Sequence, residues 1–306
     1  MSRQPIWTGV YPAVTTKFTA EGALDLPAFM HNIRAQVEAG VQGIIIGGSL
    51  GESSTITHEE RLTMLAAVLN EYGERVDVIL NVAEGSTARA IELAQKAEAA
   101  GAHGIMLLPP MMYKPTDDEV AQFFIDVARA TSLSILVYNN PVDYKIEITL
   151  DIFEKLAPLS NIAAVKESTR LTSNVIRMRN RFGDRFKILC GVDTIAMEEL
   201  ALGADGWVAG LVCAFPKETV TLYNYVKAGR YAEALALYQW FMPLLELDVS
   251  PQLVQNIKLA EAYTGLGNEN VRPPRRPLQG AERERVIAII EAALQHRPGA
   301  GEGKSC

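Results

Sequence analysis

Leu202-Gly203-Ala204-Asp205-Gly206-Trp207-Val208-Ala209 joins the end of a helical pattern to a short apolar run. Glycine just past a helix supplies the left-handed residue that stops it, and the run that follows has the length of a buried strand. The same order recurs at Ala39-Gly40-Val41-Gln42-Gly43 and at Ala100-Gly101-Ala102-His103-Gly104. Gly43 and Gly104 lie 61 residues apart, enough for two strand-helix units, and Gly104 and Gly206 lie 102 apart, enough for four. Both spacings approach the ~30 residues per unit of a (β/α)8 barrel.

Extending that pattern in both directions predicts strands near Gly9–Thr16, Gly43–Ile46, Val76–Asn81, Gly104–Leu108, Ser134–Tyr138, Ile162–Lys166, Phe186–Cys190 and Gly206–Ala209, each followed by a helix. Their apolar character on both faces fits a covered parallel sheet, not the alternation of an antiparallel one. The expected fold class is α/β, a (β/α)8 TIM barrel over residues 1–228, with a doubly wound open sheet as the competitor. Pro216–Ala228 reads as the last barrel helix. Tyr231–Leu247, Pro251–Thr264 and Ala281–His296 read as a three-helix appendage over 229–296, separated by Asp248-Val249-Ser250-Pro251 and by the proline-rich 271–277. Residues 297–306, rich in glycine and charge, read as a disordered tail.

With 48% hydrophobic and 21% charged residues among 306, the composition is globular. No apolar run approaches the ~18–20 residues of a membrane helix, and Met1-Ser2-Arg3-Gln4-Pro5 lacks the core of a secretory signal, so a soluble cytoplasmic protein is expected. A net charge of −7 argues against a nucleic-acid partner. Arg272, Arg275 and Arg276 form the one local basic cluster and read as a surface segment. Cys190, Cys213 and Cys306 lack metal-type spacing, and the first two fall at strands or strand ends as small buried hydrophobes. The four histidines, His31, His58, His103 and His296, show no metal-binding spacing either, so neither metal nor cofactor is expected.

Barrel enzymes work at the C-terminal ends of their strands, and three such ends stand out. The sixth strand, Ile162-Ala163-Ala164-Val165-Lys166-Glu167-Ser168, delivers one amine from an apolar run. Burial expels the proton from an ammonium, and free lysine is only roughly 0.04% neutral at pH 7, so a dry site enriches the nucleophilic form that imine chemistry needs. The competing reading is a lysine that snorkels to solvent. Tyr138-Asn139-Asn140-Pro141 ends the fifth strand, where Tyr138 is either a core tyrosine or a proton shuttle for Lys166. Gly47-Gly48-Ser49-Leu50-Gly51-Glu52-Ser53 follows the second strand. It lacks the lysine of a phosphate loop, but its backbone N–H groups can hold a carboxylate.

In this order, Gly48-Ser49-Leu50-Gly51-Glu52, Tyr138-Asn139-Asn140-Pro141 and Val165-Lys166-Glu167 resemble the dihydrodipicolinate synthase and N-acetylneuraminate lyase superfamily, the class I Schiff-base barrel lyases. The resemblance runs from Gly9-Val10-Tyr11-Pro12-Ala13 to Arg272-Pro273-Pro274. It implies that Lys166 forms a Schiff base with a 2-oxo acid or cyclic imine and that Tyr138 is the general acid/base. Ser49 and the Leu50 N–H, with Gly48, would hold the substrate carboxylate and relay protons. Asn140, Gly191, Asp193, Gly210 and Leu211 would face the rest of the substrate, although Asp193 can equally cap the helix that follows it. The resemblance further implies a cofactor-free homo-oligomer, tetramer or dimer.

Departures narrow the choice within that superfamily. Lysine-biosynthetic members carry Thr-Thr in the glycine loop, a tyrosine where Met112 falls and an arginine where Asp143 falls; here Tyr113 is the only tyrosine beside Met112. Asp193-Thr194 lacks the acidic pair expected of a sialic acid lyase. Tyr138–Pro141, Gly206-Trp207-Val208-Ala209-Gly210, Ala214-Phe215-Pro216 and Trp240–Leu245 are most similar to the branch of Δ1-pyrroline-4-hydroxy-2-carboxylate deaminases of hydroxyproline catabolism. Rival expectations are a 2-oxo acid aldolase acting on 2-keto-3-deoxy or 4-hydroxy-2-oxo acids, a 4-hydroxy-tetrahydrodipicolinate synthase, and a non-catalytic barrel that binds sugar acids.

Overall fold

The strands found are β1 (Gly9–Pro12), β2 (Gly43–Ile46), β3 (Asp77–Val82), β4 (Gly104–Leu107), β5 (Ser134–Asn139), β6 (Ile162–Glu167), β7 (Lys187–Cys190) and β8 (Gly206–Ala209). They come from a computed structural model that describes residues 4–298. Every paired neighbour is parallel, in the order β1-β8-β7-β6-β5-β4-β3-β2. A bridge from Ala13 to Ile45 joins the two ends of that order, closing a TIM barrel in place of the open sheet. Gly40, Gly101 and Gly203 take φ of 93°, 86° and 103°, the left-handed conformation that the repeated motif requires.

β1 ends four residues earlier than expected because the chain changes partners. Ala13 N still donates to Ala209 O of β8, but Val14 N donates to Ile45 O of β2. Beyond that switch Thr15 leaves the sheet, and its hydroxyl donates to Glu261.

Two apolar layers follow from the period-two alternation of the strands. Tyr11, Ile45, Ile79, Met106, Leu136, Ala164, Leu189 and Val208 fill the barrel interior. Their neighbours Val10, Ile44, Ile46, Val78, Leu80, Val137 and Val165 face the helices. Cys190 and Cys213 are free thiols buried in the second layer. No helix among the described residues is long and apolar enough to cross a membrane.

Beyond the barrel helix Pro216–Lys227 come helices Tyr231–Leu245, Leu253–Thr264 and Gly280–Gln295, with a 3-10 turn at Glu246–Val249. Two fully buried ion pairs tie Leu253–Thr264 to the barrel: Lys17 Nζ to Glu261 Oε1 at 2.9 Å, and Lys258 Nζ to Glu52 Oε1 at 2.5 Å. Glu52 also accepts from Arg272 N at 3.0 Å. Arg272 departs from its expected surface role: its guanidinium pairs with Glu60, donates to Thr55 O and Gly22 O, and lies 4.2 Å over the Phe18 ring. Removing one member of a buried pair strands the other charge without solvent. Lys258→Met is therefore expected to lower unfolding free energy by ~3–5 kcal/mol in urea titration. Adding Glu52→Gln to that variant should restore part of the loss.

Arg297, the first residue assigned to the expected tail, is held against the last barrel helix. Arg297 Nε donates to Glu218 Oε1 at 2.6 Å, and its guanidinium lies 5.4 Å from the centre of the Phe215 ring. Residues 299–306, Cys306 among them, and residues 1–3 lie outside the described residues.

Candidate active site

Lys166 and Tyr138 are direct neighbours in the parallel register of β5 and β6. Strand alternation carries both inward, since Leu136 and Ala164, two residues before them, are interior side chains. The Lys166 amine lies 4.1 Å from the centre of the Tyr138 ring, and the residue is only 7% solvent-exposed. Snorkelling to solvent is not what this lysine does. Burial depresses its pKa, against a partial pull in the other direction from Tyr144, Asp248, Asp193 and Cys190. Burial also pushes the Tyr138 phenol up to about 12, with Asn140 pulling the other way. At neutral pH Tyr138 is a neutral proton donor whose oxygen still accepts from Asn140 Nδ2 at 3.2 Å.

Gly191, at the end of β7, faces the stem of Lys166. A Cβ there would come within 2.9 Å of Lys166 Cε and collide with Ser168 Oγ, so glycine keeps the amine's approach open. Gly48, Ser49 and Leu50 line the same cavity from the β2 loop, and Asn140, Gly191 and Gly210 from the loops after β5, β7 and β8. The two remaining expected contacts do not line it. Leu211 is turned away and fully buried, and its N–H donates to Asp193 Oδ2 at 2.8 Å. The other Asp193 oxygen accepts from Trp207 Nε1 at 2.9 Å, and both lie 3.2 Å from Gly210 N. Asp193 makes no cap for the short helical turn it begins; it braces the loop after β8 instead.

Among the cavity residues that sequence reasoning missed, which include Ser168 and Arg170, two bear on the proposed chemistry. Tyr144 hydrogen-bonds Ser49 Oγ directly and packs edge-on against the Tyr138 ring at 5.5 Å. Burial raises its pKa. Asn140 and Pro141 carry the signal that could have found it: an asparagine N-cap before proline opens a one-turn helix, Pro141–Tyr144, that brings Tyr144 back over the barrel mouth. Asp248 is the second, supplied by the turn after the long helix beyond the barrel. No local pattern marks it. Tyr113, the tyrosine beside Met112, is 53% exposed and outside the cavity, as is Met112 at 81%.

An amine whose pKa burial lowers, a phenol on the neighbouring strand and the hydroxyl pair Ser49–Tyr144 set acid/base groups beside a nucleophile. Among the described residues no group of three or more His, Cys, Asp or Glu side chains is placed to hold a metal ion. A model of the Dihydrodipicolinate synthetase family matches residues 7–293. The chain belongs to that family. Dihydrodipicolinate synthetase family members are class I Schiff-base lyases, and this chain is an enzyme of that class, which sets aside the non-catalytic barrel.

Among curated family relatives, 4-hydroxy-tetrahydrodipicolinate synthase of Bartonella bacilliformis is 34% identical over 295 residues, covering 94% of this chain and 97% of the relative. The enzyme of that name from Methylobacterium radiotolerans is 33% identical over 291 residues, with 94% and 95% covered. Among solved structures, dihydrodipicolinate synthase from Aquifex aeolicus superposes with a TM-score of 0.89 at 26% identity, covering 93% and 97%. A prophage protein of the dihydrodipicolinic acid synthase family from E. coli K12, in complex with pyruvate, superposes at 0.88 with 27% identity, covering 94% and 99%.

Proposed function

We propose that this enzyme is a Δ1-pyrroline-4-hydroxy-2-carboxylate deaminase that releases ammonia and 2-oxoglutarate semialdehyde. The observation that carries this reading is the pair of carboxyl groups, Asp143 and Asp248, that line the Lys166 cavity and outnumber its one guanidinium, Arg170. Asp143 is tied down by Asn140 Nδ2 at 2.8 Å. Two carboxyl groups there favour a substrate whose distal end offers hydroxyl or amine hydrogens over one that brings a second carboxylate.

In the proposed reaction neutral Lys166 attacks C2 of the cyclic imine, and the ring nitrogen leaves C2 as a primary amine. The protonated lysine imine then acts as an electron sink. Tyr138 gives up its phenolic proton toward the neighbouring Tyr144–Ser49 hydroxyl pair as it takes one from C3, and the 4-hydroxyl departs. Tautomerisation and hydrolysis by water free ammonia from C5 and the keto group at C2. Ser49 and the Leu50 N–H, beside Gly48, hold the substrate carboxylate. Tyr144 takes the relay place within the same chain, so Tyr144→Phe is expected to slow pyruvate methyl-proton exchange by about tenfold or more while the borohydride-trapped adduct still forms.

Two other readings have specific support. The curated relatives' name favours 4-hydroxy-tetrahydrodipicolinate synthase. The pyruvate held by the E. coli K12 relative favours a 2-oxo acid aldolase. The deciding experiment supplies the hydroxylated imine and measures ammonia, semialdehyde and a pyruvate-borohydride mass shift on one preparation. Ammonia with an adduct supports the deaminase. An adduct without ammonia rejects it and leaves the synthase and aldolase, which condensation of pyruvate with aspartate semialdehyde separates.

A further inference from the structure

Asp248 enters the cavity from outside the barrel. The turn Glu246–Val249 that carries it is pinned by Asn256, whose buried Nδ2 donates to Leu247 O at 3.1 Å. Its carboxyl lies against Gly210 at the end of β8, where any Cβ would collide with it, so the absence of a side chain at Gly210 admits this one carboxyl. No hydrogen bond reaches it from the described residues, whereas Asp143 and Asp193 have theirs already committed. In strand order it stands on the opposite side of Lys166 from Tyr138, beside β8 while Tyr138 is on β5.

We infer that Asp248 is the acid that protonates the departing 4-hydroxyl of the lysine-bound substrate. This rests on the deaminase reading and completes it, supplying an acid at C4 distinct from the Tyr138 base that takes the C3 proton. The C3–H electrons form the enamine double bond, the enamine expels the C4–O pair, and the Asp248 proton turns the leaving hydroxide into water. The proton taken from C3 passes through Tyr138 to solvent, and solvent returns one to Asp248. Burial and the neighbouring Asp193 and Asp143 hold the Asp248 carboxyl well above the usual carboxylate range, although Lys166 pulls the other way. A carboxyl that holds its proton more tightly than an exposed one is suited to donate it.

The test uses the full-length enzyme and its Asp248→Asn variant. Ammonia release from the 4-hydroxy imine should fall ~10²- to 10⁴-fold in the variant. Methyl-proton exchange of pyruvate in deuterium oxide and the borohydride-trapped pyruvate adduct should persist, because neither step involves a leaving group at C4. The 4-chloro analogue of the imine, whose chloride departs without a proton, should return the variant close to the wild-type rate. Three results would overturn the assignment: unchanged ammonia release, loss of exchange and adduct together with turnover, or no rescue by the chloro analogue. Wild-type enzyme that releases no ammonia removes the deaminase reading and this inference together; wild type that releases it beside an equally active variant removes only the inference.

Discussion

Lys166→Ala loses all detectable turnover and yields no borohydride-trapped pyruvate adduct, with the far-UV spectrum unchanged: this is the expected result if the buried amine is the nucleophile. The wild-type lysine is desolvated on every side except the cavity and stacked over Tyr138, so its removal takes away the electron sink for each later step. Stability should not fall, since a buried amine contributes a desolvation cost. The pH dependence follows from the same burial. Because the amine's pKa is depressed, its neutral fraction rises with pH through that lowered value, and adduct formation should level off below the ~10.4 of an exposed lysine. Adduct formation that climbs through pH 10, or persists in Lys166→Ala, would remove the Schiff-base assignment.

Tyr138→Phe carries the second large expectation, a ~10²- to 10⁴-fold loss in turnover with the adduct still formed at the same mass. Phenylalanine keeps the ring under the amine but removes the oxygen that accepts from Asn140, the atom proposed to carry the proton. Single-turnover quenching separates this from a binding defect: the adduct should accumulate, and its breakdown should be slow. Equal slowing of adduct formation and breakdown would instead mark Tyr138 as a residue that orients Lys166.

Local signals made much of this molecule readable. A helix-stopping glycine followed by a short apolar run marks where each strand of the repeat begins, which is why β2, β4 and β8 start at Gly43, Gly104 and Gly206 as expected. Lys166 and Tyr138 were legible because a polar residue at the end of an apolar parallel strand has one place to go in a barrel. Contacts between distant segments left no such mark. Asp248 sat in a stretch that looked like a separator between helices, and its approach depends on a glycine after β8. Asp193 had the local look of a helix cap, yet the nearest unpaired N–H groups belong to Gly210 and Leu211. Arg272 looked like surface in a proline-rich segment because its partners, Glu60 and Phe18, lie more than 200 residues earlier.

Both walls of the cavity are fastened from residues 246–272. Lys258 and the Arg272 N–H hold Glu52, a residue forced to a φ of 58° at the end of the glycine loop, and the turn 246–249 brings in Asp248. A nascent chain that has just delivered its eighth strand to the tunnel exit therefore has a complete ring of strands and an unfinished reaction chamber. Turnover waits for the last stretch of translation.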